Sequence, residues 1–310
     1  MNKRVGIIGT GWVGTSVAIS CLQTGVADEL WLHDARTAVA EGEAMDLTHG
    51  AMFYPACTVR AAALDEMRQA DVVVVAAGRG GKANESRLDL LRDNARLVAD
   101  IGRTLVGFEG TVVLVTNPVD VLTQVMAEAS GLPPERVLGT GTLLDTARLR
   151  QMLGSTLHLG TASIHAQVIG EHGDSEVVLW SGARVGGVPL RDWPGWRTDD
   201  EARIAVDVKR AAYEVIQRKG ATNHAIGLVT ANLLRGMLRG ERRVLTVSRV
   251  QQGAMGLQDV AMSLPTIVGR NGGSTVVEPA MDDAERAALA RSAEVLRQAM
   301  ASLKAGGWAS

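Results

Sequence analysis

Cysteine is nearly absent from this sequence: Cys21 and Cys57 are the only two, and they form neither a CxxC nor a metal-type spacing. A disulfide framework is therefore not expected, nor is a metal centre, and two such thiols suit a reducing compartment. Excess charge is also missing, with 32 Lys and Arg against 34 Asp and Glu and a formal net charge of −2. That balance gives no electrostatic case for nucleic acid or an acidic lipid surface as partner. No apolar run is long enough to span a membrane once its glycines and polar residues are counted. Repeats and low-complexity tracts are absent too. What is present is a chain of 310 residues, 46% hydrophobic and 21% charged. Those values fit a globular protein of one large or two ordinary domains.

The N-terminus has the superficial form of a secretory signal, MNKR followed by VGIIGTGWVGTSVAIS. Ala18-Ile19-Ser20-Cys21 even resembles a weak lipoprotein cleavage site. Cleavage there would discard a glycine pattern that has its own use, so the segment reads as structure and the protein as cytoplasmic.

Along the first half, short apolar runs alternate with helical patterns. Strands are expected at Val5 to Ile8, Leu30 to Leu32, Asp71 to Ala77 and Thr111 to Thr116. Helices are expected at Val13 to Gly25, Arg36 to His49 with Gly50 as C-cap, Ser86 to Leu105, and Val119 to Ala129. The valine run after Asp71 shows no alternation, as in a strand covered on both faces. Such alternation predicts a doubly wound parallel sheet. Beyond residue 140 the pattern is mixed. Helices are expected at Leu143 to Leu153, Thr198 to Leu238 in two pieces near Gly220, and Asp282 to Leu303. Strands are expected at Thr161 to Ile169 and Val244 to Val250, and loop and strand at Pro265 to Val277. The division is thus 1–140 for a nucleotide-binding domain and 141–310 for an α+β domain.

Gly9-Thr-Gly11-Trp-Val-Gly14 follows a strand and opens a helix. Its glycines permit a tight turn, close approach to a pyrophosphate and close helix packing, with the helix N-terminus facing the phosphates. Asp34 ends the next strand, 20 residues after Gly14. A carboxylate there accepts hydrogen bonds from a ribose and repels a 2′-phosphate, favouring NAD over NADP. The bland alternative for Asp34 is a helix cap. Downstream, Gly170-Glu-His172-Gly-Asp174-Ser175 sets a histidine between glycines after a strand. Asp145 and Arg148, in LLDTARLR, share a helix face. An aspartate beside His172 could fix its tautomer and stabilise its cation, and the arginine could clamp a carboxylate. Spacing alone does not bring residue 145 to residue 172, and an ordinary Asp–Arg helix pair is the alternative.

These segments together resemble the L-lactate/malate dehydrogenase superfamily, on its bacterial L-lactate dehydrogenase side, nearly end to end. GTGWVG and the strand ending His33-Asp34 resemble its NAD fingerprint, and EGEAMDLTHG (41 to 50) its subunit-contact helix. NESRLDLLRDN (84 to 94), TNPVDVLT (116 to 123), GTGTLLDTAR (139 to 148), GEHGDSEV (170 to 177) and KGATNHAIG (219 to 227) resemble its active-site segments in order.

The resemblance implies a Rossmann-type doubly wound sheet followed by an α+β substrate domain, and NAD as cofactor. It implies His172 as proton donor and acceptor, Asp145 as its orienting partner, Arg87 as the group polarising the carbonyl, and Arg148 as the carboxylate clamp. Asn117 would bond the substrate oxygen and nicotinamide, Thr222 would line the substrate pocket, and Ile226 would pack near the nicotinamide ring. Gly9, Gly11, Val13, Gly14, Asp34, Gly78 and Thr116 would contact NAD. Arg150 and His165 match a basic pair that binds fructose 1,6-bisphosphate across a subunit interface in many bacterial relatives. The resemblance also implies a homo-oligomer, a tetramer before a dimer, acting on a small 2-keto or 2-hydroxy acid in glycolysis.

One stretch departs from the family. In AAGRGGKANESR (76 to 87), the position six residues before Arg87 carries the substrate-reading side chain, Gln in lactate enzymes and Arg in malate enzymes. Here it is Gly81, and Lys82 is the nearest cation. Thr222 argues for a small substrate and Ala221 for a larger one. Pyruvate/lactate leads, with oxaloacetate/malate next and branched or aromatic 2-keto acids third. The stretch is not a phosphate-binding P-loop, because Ala76 and Ala83 occupy positions that need Gly and Ser or Thr. It reads as a lid that carries Arg87 at its far hinge. A NAD-dependent glycosidase would want Cys or His metal ligands that the site positions lack. A non-catalytic NAD-binding protein would have no need for His172, Asp145 and the arginines together.

Overall fold

The structure, a computed structural model, describes residues 2–80 and 87–307, the side chain of Arg87 excepted. The first half runs β1 (Arg4–Ile8), α1 (Trp12–Thr24), β2 (Glu29–His33), α2 (Thr37–His49), β3 (Thr58–Ala61), β4 (Val72–Val75), α3 (Arg87–Thr104), β5 (Thr111–Leu114), α4 (Val119–Ser130) and β6 (Val137–Gly139). The second half runs α5 (Leu143–Leu157), β7 (Ile164–His165), β8 (Val168–Ile169), β9 (Val177–Val178), β10 (Arg184–Val185), β11 (Val188–Pro189), α6 (Asp199–Lys219), α7 (His224–Arg239), β12 (Arg243–Gln252), β13 (Gln258–Gly269), β14 (Gly272–Val276) and α8 (Asp283–Ala305).

Unbroken β-branched runs make the centre of one nine-stranded sheet, ordered β14-β13-β12-β6-β5-β4-β1-β2-β3. Every residue of β4 and β5 is buried, as strands covered on both faces require. Strands β1 to β6 pair in parallel, and β1 lies between β2 and β4. The chain order therefore reverses beside β1, and the crevice at the carboxyl ends of β1 and β4 is where such sheets bind ligands. Gly9–Gly11 and Ala76–Gly78 follow those ends.

One face of the sheet packs α1 and α7, with Val17, Leu22, Ala231 and Leu234 in its core. The other packs α3, α4 and α8, through Ala95, Val98, Leu122, Val125 and Leu296. A third apolar cluster joins α5 and α6 to the small strands, with Leu149, Leu153, Ile164 and Val208. The main sheet continues across residue 140, because β6 pairs antiparallel with β12 through Gly139 and Ser248. No helix among the described residues is long and apolar enough to cross a membrane.

Most elements lie where the pattern places them, and the helical stretch after Thr198 breaks at Gly220, whose φ is +86°. Strands β6, β9, β10 and β11 have no counterpart in that pattern, and three further details differ. Edge strand β3 is only partly buried, so no apolar run marks it. The expected strand Thr161 to Ile169 divides into a 3-10 turn at Thr161–Ser163 and the two-residue strands β7 and β8. Pro265 lies inside β13 rather than in a loop. Its carbonyl accepts the Val277 N–H just past β14, so the missing N–H falls where that neighbour leaves the sheet.

Candidate active site

The nucleotide turn has the shape its glycines predict. Gly9 has φ +96°, and its N–H donates to the His33 carbonyl at 2.8 Å. A Cβ on Gly9 would lie 2.5 Å from the Ala77 nitrogen, and one on Gly14 would lie 1.8 Å from the Gly9 carbonyl oxygen. A Cβ on Gly11 would meet nothing within 4 Å, so that face is open. No side chain caps α1, and no acid sits in its first turn. Its first N–H groups are thus available to an anion, a fit for a pyrophosphate. Val13 lies in this first turn, half-buried.

Asp34 takes the Thr10 N–H at 3.1 Å on Oδ2 and the Arg36 N–H at 3.0 Å on Oδ1. Partial burial works to raise its pKa, but these bonds outweigh it and hold the carboxyl below its ordinary value. It is an anion held at the strand end, more than a simple helix cap. Across the crevice, a Cβ on Gly78 would lie 2.4 Å from Thr116 Cγ2, and Thr116 Oγ1 donates to the Ala77 carbonyl at 2.8 Å. Asn94 ends the segment NESRLDLLRDN, which gives it no role of its own. Its Oδ1 accepts the Arg79 N–H at 3.0 Å, and its Nδ2 reaches the Asn117 carbonyl at 3.4 Å. Asn94 thereby ties the end of β4 to the turn that exposes Asn117.

The second half of the site is assembled by hydroxyl groups. Thr142 Oγ1 donates to the Val168 carbonyl at 2.6 Å, and Thr146 Oγ1 accepts the Val168 N–H at 3.0 Å. These bonds fasten the first turns of α5 to β8 and so carry Asp145 to the loop after β8. That loop is held in turn. Gly170, at φ +90°, exchanges two 2.9 Å backbone bonds with Ser263 of β13. Ser292 of α8 accepts the Glu171 N–H at 2.8 Å. Asp120, in the first turn of α4, accepts the His172 N–H at 2.7 Å.

His172 Nδ1 lies 2.5 Å from Asp145 Oδ2, and Arg148 Nη1 donates to Asp145 Oδ1 at 2.8 Å. An ionised carboxylate only accepts, so Nδ1 carries the proton and Nε2 is left to exchange one. The imidazole side chain is 24% exposed, while Asp145 is 3% exposed. Burial disfavours the His172 cation, but the Asp145 charge and hydrogen bond, then Asp120 and Glu176, push it up to about 9. For Asp145 burial works upward, and the charges and bonds of His172 and Arg148 overcome it, leaving the carboxyl low. The arrangement can hold a proton at Nε2 near neutral pH and present a cation beside it.

Thr222 and Ile226 flank the junction of α6 and α7, half-buried. Asn223 ties the junction to the nucleotide helix, with Nδ2 donating to Ser16 Oγ at 2.9 Å. Gly81, Lys82 and the Arg87 side chain lie outside the described residues. Arg150 and His165 are not bonded to each other within the chain. Arg150 Nε donates to the Ala166 carbonyl at 3.0 Å, and His165 is exposed on β7. Arg150 also lines a cavity of about 740 Å³ with Arg243 and Asn232, apart from His172.

A nucleotide cradle beside an acid-paired imidazole is the pattern of an NAD-dependent oxidoreductase. Comparison with known proteins gives the family. Residues 3–139 match the NAD-binding domain of lactate/malate dehydrogenase, and residues 142–306 match the α/β C-terminal domain of the same enzymes. The chain is 43% identical over 307 residues to an L-lactate dehydrogenase of Thermus aquaticus, covering 97% of this chain and 99% of that one. It is 43% identical over 310 residues to L-lactate dehydrogenase 2 of Enterococcus faecalis, covering 98% of both. Among solved structures, the minor L-lactate dehydrogenase of Enterococcus mundtii superposes with a TM-score of 0.94 at 37% identity, covering 97% of this chain and 98% of that one. The chain belongs to the lactate/malate dehydrogenase family, and its cofactor is NAD.

Proposed function

We propose that this protein interconverts a small 2-keto acid and the L-2-hydroxy acid, with pyruvate and L-lactate as the first pair. The observation that carries this reading is the His172–Asp145–Arg148 cluster, which joins a proton carrier, its fixed anion and a guanidinium on one side of the crevice. NADH, when bound, supplies the hydride. His172 gives the carbonyl oxygen its proton from Nε2, while Asp145 stays ionised and keeps Nδ1–H aimed at itself. Arg148 holds the substrate carboxylate through the donors that Asp145 does not engage. Asn117 hydrogen-bonds the substrate oxygen, and Arg87 polarises it. In the reverse direction the neutral imidazole takes the proton back. Gly9, Gly11, Gly14, Asp34, Gly78 and Thr116 hold the cofactor, with Val13 and Ile226 against it, and Thr222 bounds the pocket.

We read 1–140 as the cofactor part and 141–310 as the substrate part, a division supported by family matches over 3–139 and 142–306. Self-association is supported by apolar side chains left open on α2 and the turn after it, Met45, Met52 and Phe53. A tetramer in sedimentation is the expected form. For the Arg150–His165 effector pair, the support is a cavity that Arg150 lines with Arg243, although His165 is not part of its lining. NADH oxidation with pyruvate, oxaloacetate and branched and aromatic 2-keto acids tests the substrate, with and without fructose 1,6-bisphosphate. Pyruvate should give the highest kcat/KM; no keto-acid-dependent oxidation would refute the reading.

A further inference from the structure

Ser292 is a hydroxyl on the buried face of α8, fully enclosed, with Leu289, Ala293 and Leu296 as its buried neighbours there. A serine inside a helix gains nothing over alanine from propensity, and a buried hydroxyl is costly unless it is bonded. Packing alone therefore gives no reason for this residue. Its bonds lead out of the helix, to the loop that carries His172. Ser292 Oγ accepts the Glu171 N–H at 2.8 Å and lies 3.1 Å from Ser175 Oγ. Ser175 in turn donates to Glu171 Oε2 through its hydroxyl and, at 3.1 Å, through its N–H. These contacts form a closed circuit, from the Glu171 N–H to Ser292, to Ser175 and back to the Glu171 carboxylate. His172 lies within the span that the circuit closes.

Two glycines make room for it. A Cβ on Gly170 would lie 2.8 Å from Ser292 Oγ, and one on Gly173 would lie 2.9 Å from Glu171 Cδ. Gly170 thus lets α8 come up to the loop, and Gly173 lets the glutamate fold across it. We propose that Ser292 is a positioning residue for the reaction: its hydroxyl closes a hydrogen-bonded circuit that sets the backbone on both sides of His172 and so holds the imidazole against Asp145. The inference rests on the proposed role of His172. Ser292 acts through the loop and not on the reacting atoms.

Ser292→Ala deletes the hydroxyl and leaves the Glu171 N–H without its acceptor. Keto-acid kcat should fall by roughly tenfold to a hundredfold, as a displaced catalytic group costs. KM should change by less than about threefold, because Arg148 on α5 lies outside the circuit. NADH should bind as in wild type by fluorescence titration, since the glycine turn after β1 is also outside it. In cofactor-free protein, the proton resonance of His172 Nδ1–H, bonded to Asp145, should shift upfield or broaden. A kcat within about twofold of wild type, with that resonance unmoved, would make Ser292 a packing residue and overturn the proposal. Ser175→Ala opens the same circuit at a less buried residue, which covers a Ser292 variant that fails to fold. It should show the same loss of kcat and the same displaced resonance; wild-type values in it also overturn the proposal. Because the circuit acts as a unit, the double variant should lose little more than either single one, whereas losses that multiply contradict it. If wild-type protein oxidises NADH with no keto acid, the proposed function fails, while the resonance in Ser292→Ala still tests the circuit.

Discussion

Replacing Asp145 by Asn removes one charge and almost no volume, which makes it the cleanest probe of how His172 is set. The imidazole is raised from 6.5 to about 9. That displacement of about 2.5 units corresponds to ~3 kcal/mol in favour of the cation. Asp145 is the largest of the groups that raise it, and burial opposes them all. Without that charge, His172 should titrate near or below its ordinary value. At pH 7.5 the cationic fraction then falls from about 97% to about 10%. Keto-acid kcat/KM should therefore drop at least about tenfold from protonation alone. The loss deepens because Arg148 also loses the carboxylate that aims it at 2.8 Å. The assay is initial-rate NADH oxidation from pH 5 to 10. Its expected signature is a midpoint lowered from about 9 to about 6.5 or below, with part of the lost rate recovered in acid. Oxidation of the hydroxy acid, which needs neutral imidazole, should suffer less at pH 7.5. A midpoint that stays near 9 while the rate collapses would show that Asp145 acts by geometry alone, and the electrostatic account would fail.

His172→Asn should lower kcat by roughly 10²–10⁴-fold, as loss of a general acid does, while NADH still binds by fluorescence titration; near-normal turnover contradicts the assignment. Asp34→Ser removes the proposed ribose acceptor and frees Arg36, now 3.4 Å from that carboxylate. The preference for NADH over NADPH should shrink roughly tenfold or more in kcat/KM, and an unchanged ratio argues that Asp34 only shapes the turn. Asp120 is raised from 3.8 to about 6, mainly by burial. The folded state thus binds its proton more tightly than the unfolded chain. Its contribution to stability is complete below 3.8 and declines by ~3 kcal/mol as pH rises through about 6. Asp120→Asn should flatten that part of the urea-unfolding profile, and an identical slope in both proteins refutes the point.

The legible part of this protein is the part built from contiguous residues. GTGWVG reads correctly because the constraint is local: Gly14 has no room for a Cβ and Gly9 needs positive φ. The pairing of Asp145 with His172 spans 27 residues and is made by other groups. Thr142 and Thr146 hold α5 to β8, and Ser263 and Ser292 hold the loop. In the sequence these four look like any polar residues, so only the family resemblance supplies the contact. Asp120 and Glu176 sit inside recognised segments, TNPVD and GEHGDSEV, yet nothing in those letters says that the acids are enclosed. Strand β3 escaped because an edge strand needs no apolar run, and Pro265 misled because its place beside the departing β14 is a property of the sheet.

Three carboxyls surround one imidazole, and their behaviour follows from the donors each oxygen meets. Asp145 receives His172 on one oxygen and Arg148 on the other, both charge-assisted, and stays ionised despite burial. Asp120 receives a single backbone N–H on Oδ2. Its Oδ1 has no partner, since the nearby Ser248 hydroxyl does not reach hydrogen-bonding geometry, and it titrates at about 6. Glu176 has a buried oxygen without a donor, and burial pushes its carboxyl up to about 8. The same functional group thus serves as fixed anion in one place and backbone anchor in another, and how far its pKa rises follows how far hydrogen bonds replace the water it has lost. A site with Asp145 alone would hold the same tautomer but would release the imidazole proton at lower pH.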